Sequence, residues 1–333
     1  MGDYIISCCS TADLTEEHFR ERDISYICFH YELDGVQYAD DLGKSMGFEE
    51  FYKKMTLGAD TKTSQVNLEE FREYFEPFLK EGKDILHLCL SSGISGVLNS
   101  ALAAKQELEE LYPDRKIYVV DSLGASSGYG LIMDKLADLR DGGMGIDELH
   151  DWAEKNKLRM NHWFFSTDLT FYIKGGRISK ASGFIGTVLA ICPLLNMDDQ
   201  GRLIPRFKIR TKRKVIQAIV EKMEEYADGG LEYSDKCYIS QSACYEDARA
   251  VADYISGRQP ETVSLVAMGN GGERTAREDV ICARYIKCLL EGRTCLIDEE
   301  IRSLRTDGGE HFFRPQTQEI FPQEDFRLCT RRD

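Results

Sequence analysis

The chain lacks the residue patterns that mark several common chemistries. It has eleven cysteines but no C-x-x-C pair; Cys8 and Cys9 are adjacent and the rest are scattered, so metal-site spacing is absent. It lacks a basic excess: the formal net charge is −15, which argues against a nucleic-acid footprint and disfavours docking on anionic lipid. No apolar run approaches membrane-spanning length. Met1–Ile6 has neither a basic region nor a long apolar stretch, so no secretion signal is expected. Ile6 stands where acylation at Gly2 would need Ser or Thr. The expected localisation is cytoplasmic, with reduced thiols. There is no G-x-S-x-G elbow to expose a nucleophilic serine. At 333 residues the chain is long enough for two domains and a substantial core.

What is present is a run of small hydroxyl residues and glycines, Ser91-Ser92-Gly93-Ile94-Ser95-Gly96, directly after the apolar stretch Ile85–Leu90. The pattern reads as a buried strand, a turn, and a helix starting near Val97. Open α/β sheets bind ligands at that end of a strand, and helix amino termini favour anions. The turn has no lysine, so a nucleoside triphosphate fits poorly. Hydroxyls and N–H groups without a fixed cation suit a singly charged head group such as a carboxylate.

Elsewhere in the first half, Tyr4–Ile6, Ile24–Phe29 and Ile117–Val120 read as strands. Thr15–Arg22, Phe48–Met55, Leu68–Lys80, Ser100–Leu111 and Ala125–Leu139 read as helices. This alternation predicts βαβ units and a mostly parallel sheet. Asn67 and Glu70 are placed to form a capping box, and Phe71, Phe75 and Phe78 follow helical spacing toward a core. From about residue 161 the texture changes. The turn Asp198–Gly201 between apolar segments predicts a hairpin, with Leu203–Ile209 a strand and Val215–Tyr226 a helix. Lys236–Ser240 reads as a further strand, and Ala276–Leu290 as a helix capped by Thr275 and Glu278. The expected organisation is an α/β domain over 1–160 and an α+β lid domain over 161–333, with an atypical tail from about 257. After Met268 the basic residues are ten Arg to one Lys, against thirteen Arg and eighteen Lys before it.

Thr63-Ser64-Gln65 falls between helical segments and reads as a loop that joins the serine turn in one layer. A serine nucleophile at Ser91, Ser92 or Ser95 would need a base; His87 precedes the turn but reads as packed in its strand. Arg177 in Lys174–Arg177, with Arg206, Lys208, Arg210, Lys212, Arg213 and Lys214, makes a local positive surface on an acidic protein. Asp40-Asp41 and Asp198-Asp199 read as solvated turn positions, and Asp121-Ser122 as a cap that orients its neighbours. Gly269–Gly272 lacks a P-loop lysine.

Taken together, Ser10–Leu14, Thr63–Gln65, Ser91–Gly96, Asp121-Ser122, Gly175–Ser179 and Pro193–Leu195 with Gly201 resemble the DegV family of fatty-acid-binding proteins, in order, over residues 4 to about 256. The resemblance implies a two-domain α/β protein with an acyl chain buried between its domains. It implies a carboxylate held by Thr63, Ser64, Ser91, Ser92, Ser95 and Gly96. It further implies a bacterial protein that presents the bound acid to a separate fatty-acid kinase, to which ATP and magnesium belong. On this reading the chain has no cofactor, metal or catalytic residue of its own. Phe184, Ile185, Val188 and Leu189 are expected to line the acyl chain, and Arg177, Arg206 and Arg210 to face the partner. Two departures stand out. Cys8-Cys9-Ser10 replaces the family's Thr-Asp-Ser, and nothing after Ile255 matches the family's His-containing Gly-Pro-Gly ending. The tail reads either as a replaced terminus or as a reading-frame error in the gene. The competing functions are a serine-dependent acyl hydrolase or transferase, and an interaction protein with a vestigial pocket.

Overall fold

Tyr4–Cys9 (β1) and Asp84–Cys89 (β6) carry apolar residues on both faces, and Ile6, Cys8, Cys9, Ile85, Leu86 and Leu88 are fully buried. Strands buried on both sides belong in the middle of a parallel sheet. In the computed structural model they do pair in parallel, flanked by Ile24–Ile27 (β2) and Ile117–Asp121 (β7), in the order β2-β1-β6-β7. The structure describes residues 4–166, 169–178, 191–229, 277–291 and 297–305.

Of the six α-helices over residues 4–156, five were expected and the last, Ile146–Asn156, was not. They are Glu16–Glu21 (α1), Phe48–Thr56 (α2), Leu68–Lys80 (α3), Val97–Leu111 (α4), Ser126–Asp141 (α5) and Ile146–Asn156 (α6). The capping box forms at the start of α3: Glu70 N–H donates to Asn67 Oδ1 at 3.0 Å, and Asn67 N–H to Glu70 Oε2 at 2.8 Å. Phe71 and Phe75 are fully buried and Phe78 is half-buried, so the aromatic stripe is core as expected. The buried Tyr129 of α5 ties the carboxyl ends of the two central strands together. Its hydroxyl accepts from Cys9 N–H at 2.8 Å and donates to Leu88 C=O at 3.1 Å.

Two smaller antiparallel sheets complete the described strands. His30–Leu33 (β3), Val36–Ala39 (β4) and Thr61–Ser64 (β5) form one, in the order β4-β3-β5. This corrects the reading of Thr63-Ser64-Gln65 as a loop: Thr63 and Ser64 belong to a strand. Its sequence, Thr-Lys-Thr-Ser, has no apolar alternation, so the pairing with β3 alone defines it. The other sheet contains Trp163–Phe165 (β8), Ile191–Met197 (β9) and Leu203–Arg210 (β10), in the order β10-β9-β8. The expected hairpin at Asp198–Gly201 is present; Asp198 Oδ1 accepts from the N–H groups of Gln200 and Arg202, and Gly201 has φ +66°. A short helix, Thr170–Lys174 (α7), lies between β8 and β9 in the chain.

The chain divides into two compact units, Met1–Lys212 and Arg213–Asp333. All three sheets lie in the first, including the strands that follow residue 160. In the second, the helix over 277–290 buries Ile281, Cys282, Tyr285 and Ile286, and Arg284 pairs with Glu300 at 2.6 Å. The expected strand at Lys236–Ser240, the cap residue Thr275 and the tail from 306 lie outside the described residues.

Candidate functional site

The segment between β6 and α4 is held by its own small residues and by contacts from distant parts of the chain. Ser91 C=O accepts from Ile94 N–H at 3.2 Å and Ser95 N–H at 3.1 Å. The buried Ser91 hydroxyl accepts from Gly93 N–H at 3.0 Å and donates to Gly201 C=O at 2.7 Å. A turn that starts 110 residues earlier is thus latched to the β9–β10 hairpin. There is no room for larger residues at this junction. A Cβ on Gly93 would collide with the carbonyl oxygens of Gln200 and Gly201, and a Cβ on Gly201 with Ser91 Oγ.

The turn after β7 supports the same segment from the other side. Ser91 N–H donates to Gly124 C=O at 3.1 Å, and Ser92 N–H to Asp121 Oδ1 at 3.1 Å. The same Asp121 oxygen takes the Leu123 N–H at 3.1 Å, so this carboxylate orients its neighbours as its place at the strand end suggests. Leu123 and Ser126 have φ values of +51° and +52°. Non-glycine residues in the left-handed region are uncommon and cluster where a site over-determines the backbone.

Ser95 performs a third task. Its hydroxyl accepts from Val97 N–H at 3.2 Å, capping α4, and donates to Gln65 Oε1 at 3.4 Å. Gln65 Nε2 reaches Ser100 Oγ in the first turn of α4 at 3.3 Å. The end of β5 is therefore bound to the head of α4 through one amide side chain. This revises the expectation that every hydroxyl of the turn faces a ligand. Ser91 and Ser95 each have one proton, and both protons are directed to protein acceptors.

The groups left open are different ones. Among the described residues, the hydroxyls of Thr63, Ser64 and Ser92 and the N–H groups of Gly96 and Leu98 have no hydrogen-bond partner. Thr63, Ser64, Ser92 and Gly96 are exposed. Thr63 and Ser64 lie on opposite faces of their sheet, because successive strand residues alternate. Thr63 shares a row with Tyr31 and Tyr38, while Ser64 shares one with His30 and Ala39. β5 ends at Ser64, and Gln65 follows directly after it. His30, on the Ser64 side, pairs with Glu70 at 3.2 Å.

His87 is not a base for the serines. It is fully buried, its Nδ1 lies 2.6 Å from Ser7 Oγ, and the rings of Phe71 and Phe75 pack against it with centroids 5.2 and 5.3 Å away. Burial pulls its pKa down to about 3. His162 lies against Gly124 and Gly128 at the head of α5, and burial pulls its pKa to about 4. Among the described residues no histidine pairs with Ser91, Ser92 or Ser95. Asp40 is more than a solvated turn residue: it accepts from Ser10 Oγ at 2.7 Å, and that oxygen accepts from Phe29 N–H at 3.1 Å.

Of the expected partner-facing cations, Arg206 and Arg210 are exposed on β10 with exposed Lys208 between them; Lys208 and Arg210 alternate regularly, and Arg206 sits at a register irregularity between Pro205 and Phe207. Arg206 Nε donates to Asn196 Oδ1 at 2.7 Å, and Arg177 donates to Gly175 C=O at 2.5 Å. Phe184, Ile185, Val188 and Leu189 lie outside the described residues. Among the described residues, no cluster of three or more His, Cys, Asp or Glu side chains has metal-site geometry, and no helix is long and apolar enough to cross a membrane.

The DegV family, described as uncharacterised proteins, matches residues 6–276. The chain belongs to the DegV family. A DegV domain-containing protein of Clostridium perfringens is 35% identical over 260 residues, covering 78% of this chain and 89% of the relative. Among solved structures, a DegV family protein from Thermus thermophilus, described by its fatty-acid binding, has a TM-score of 0.68 at 26% identity, over 79% of this chain and 91% of its own. The Streptococcus pneumoniae fatty acid kinase B3 protein loaded with linoleic acid shares the fold, with a TM-score of 0.67 at 20% identity, over 79% and 91% of the two chains. The DegV match extends about twenty residues past residue 256, where the resemblance legible in the sequence ends. Within this DegV chain, Gln65 and Gly201 were visible only as members of motifs, and nothing in the sequence marked their contacts with the serine turn.

Proposed function

We propose that this DegV protein binds a long-chain fatty acid, with the carboxylate at the head of α4 and the acyl chain buried. The observation that carries this reading is a set of open donors: the Ser92 hydroxyl and the Gly96 and Leu98 N–H groups at that helix head, and the Thr63 hydroxyl on β5, two residues before the Gln65 that binds the head of α4, with no fixed cation among them. Neutral donors at a helix amino terminus stabilise one negative charge without demanding two. The DegV relative from Thermus thermophilus is described as fatty-acid-binding, which supports the same ligand class. Burying the chain contributes about 0.8 kcal/mol per methylene before ordering costs.

Mass spectrometry of protein purified from bacteria is expected to show co-purifying fatty acid at near-stoichiometric yield. Clean apo protein that also fails to bind added fatty acid would overturn the reading. Thr63→Ala and Ser92→Ala are each expected to weaken binding by about 1–3 kcal/mol, since each leaves a charged acceptor short of a donor. Ser64→Ala should change it by less than about 0.5 kcal/mol, within the range of a surface substitution. Equal losses at all three positions would contradict the assignment of Thr63 to the ligand side.

The bound acid is then presented to a separate kinase, which moves the terminal phosphoryl group of ATP onto a carboxylate oxygen and releases ADP. The cationic row Arg206, Lys208 and Arg210, with Arg177, is the surface for that partner. Rim charges act mainly on encounter rate and its salt dependence. Arg210→Glu is therefore expected to slow acyl-phosphate formation in a reconstituted system while leaving fatty-acid affinity within about twofold, below roughly 0.5 kcal/mol. Loss of fatty-acid binding in Arg210→Glu, with the fold intact by circular dichroism, would remove this surface from the partner's side.

A further inference from the structure

Gln65 makes two contacts to α4 and one close approach, and no ligand role has been assigned to it. Its Oε1 accepts the Ser95 hydroxyl at 3.4 Å and its Nε2 donates to Ser100 at 3.3 Å. The same amide packs against the Gly96 Cα so closely that a Cβ there would lie 2.9 Å from Gln65 Oε1. Gly96 carries one of the open N–H groups, and Ser95, which Gln65 holds, caps the Val97 N–H between the two open ones. Two residues before Gln65, near the end of β5, stands Thr63 with an exposed hydroxyl.

We infer that Gln65 is a positioning residue for the head group. It fixes the direction of the Gly96 and Leu98 N–H groups relative to the Thr63 hydroxyl, so that donors from β5 and from α4 converge on one carboxylate. The inference rests on the fatty-acid reading given above. The amide suits this position because it accepts from one serine and donates to the other while carrying no charge. A carboxylate at residue 65 could still accept from Ser95. It would also place a negative charge beside the ligand's own, and Ser100 would have to reverse its hydroxyl to donate to it. An aliphatic side chain would remove the hydrogen bonds from residue 65 to both serines.

The test uses the full-length chain and two probes of equal length, palmitate and 1-hexadecanol, which share the acyl chain and differ in head-group charge. Gln65→Leu is expected to weaken palmitate about tenfold and to leave hexadecanol within about twofold, the tenfold loss corresponding to about 1.4 kcal/mol. Gln65→Glu is expected to weaken palmitate more than Gln65→Leu does, because like charges repel, again sparing hexadecanol. Ser100→Ala, which loosens Gln65 without touching the head group, should lower palmitate affinity in the same direction by about threefold, as expected for one neutral hydrogen bond. A merely structural role would lower both probes in parallel, and that result overturns the inference, as does unchanged palmitate binding in Gln65→Leu and Gln65→Glu. Should Gln65→Leu fail to fold, the ratio of the two probes in Gln65→Glu and Ser100→Ala decides. Failure of the wild-type chain to bind palmitate at all removes the fatty-acid reading itself and this inference with it.

Discussion

Replacing Gly201 with alanine is expected to destabilise the fold by about 3 kcal/mol and to lose most fatty-acid binding, even though residue 201 touches no proposed ligand group. Two costs combine. The left-handed φ of +66° is strained for any residue with a Cβ, at about 1–2 kcal/mol. The new Cβ would also collide with Ser91 Oγ, and would sit 3.0 Å from Leu123 Cα and 3.1 Å from Ser91 Cβ. These neighbours are the backbone of half-buried Leu123 and the committed side chain of buried Ser91, so they have little room to yield. Ser91→Ala alone removes the latch to the Gly201 carbonyl and should cost about 1–3 kcal/mol, since that buried acceptor loses its donor. The double variant separates the two effects. With the hydroxyl gone the worst collision is relieved, so Gly201→Ala with Ser91→Ala should cost clearly less than the sum of the single changes. Such coupling is expected only for residues in direct contact. Denaturant unfolding of the four proteins measures it; strict additivity would show that the latch is not what holds the serine turn.

The latch also explains why some of this protein was legible in its sequence and some was not. The parallel sheet was legible because β1 and β6 are continuous apolar runs, and helices such as α3 announce themselves through Asn67, Glu70 and the phenylalanine spacing. The serine turn was legible as a place where a strand hands over to a helix. What each serine does there was not. Ser91, Ser92 and Ser95 are chemically alike in the sequence. Only the arrival of Gly201 and Gln65 from distant parts of the chain decides which hydroxyls are taken and which stay open. The β5 strand was hidden for a related reason. Thr61–Ser64 is polar throughout, so no alternation marks it, and it exists because β3 offers it a partner. Local pattern reports burial well, whereas hydrogen-bond assignments that depend on long-range contacts leave no periodic trace.

The buried His87 leads to the second large effect, a dependence of stability on pH. Burial among aromatic rings lowers its pKa from 6.5 to about 3. In the unfolded chain the imidazole keeps its ordinary value, so between about pH 6.5 and pH 3 the unfolded state binds a proton that the native state refuses. Stability therefore falls as pH drops through this window, by about 1.4 kcal/mol per pH unit once well below 6.5. At about pH 4.5 the loss due to His87 is on the order of 3 kcal/mol. Carboxylates and His162 titrate over the same range, so the His87 contribution is read as a difference between wild type and His87→Leu. Leucine leaves the Ser7 hydroxyl without its partner, which costs about 1–2 kcal/mol at every pH. The variant should accordingly be less stable than wild type near pH 7.5. It does not carry the proton-linked penalty, so the two stability curves should cross as the pH is lowered, and the variant should be the more stable at about pH 4.5. Urea unfolding at intervals between these limits follows the crossing directly. Parallel curves would mean that His87 takes up its proton in the native state, which requires that Ser7, Phe71 and Phe75 open around it rather than hold it dry.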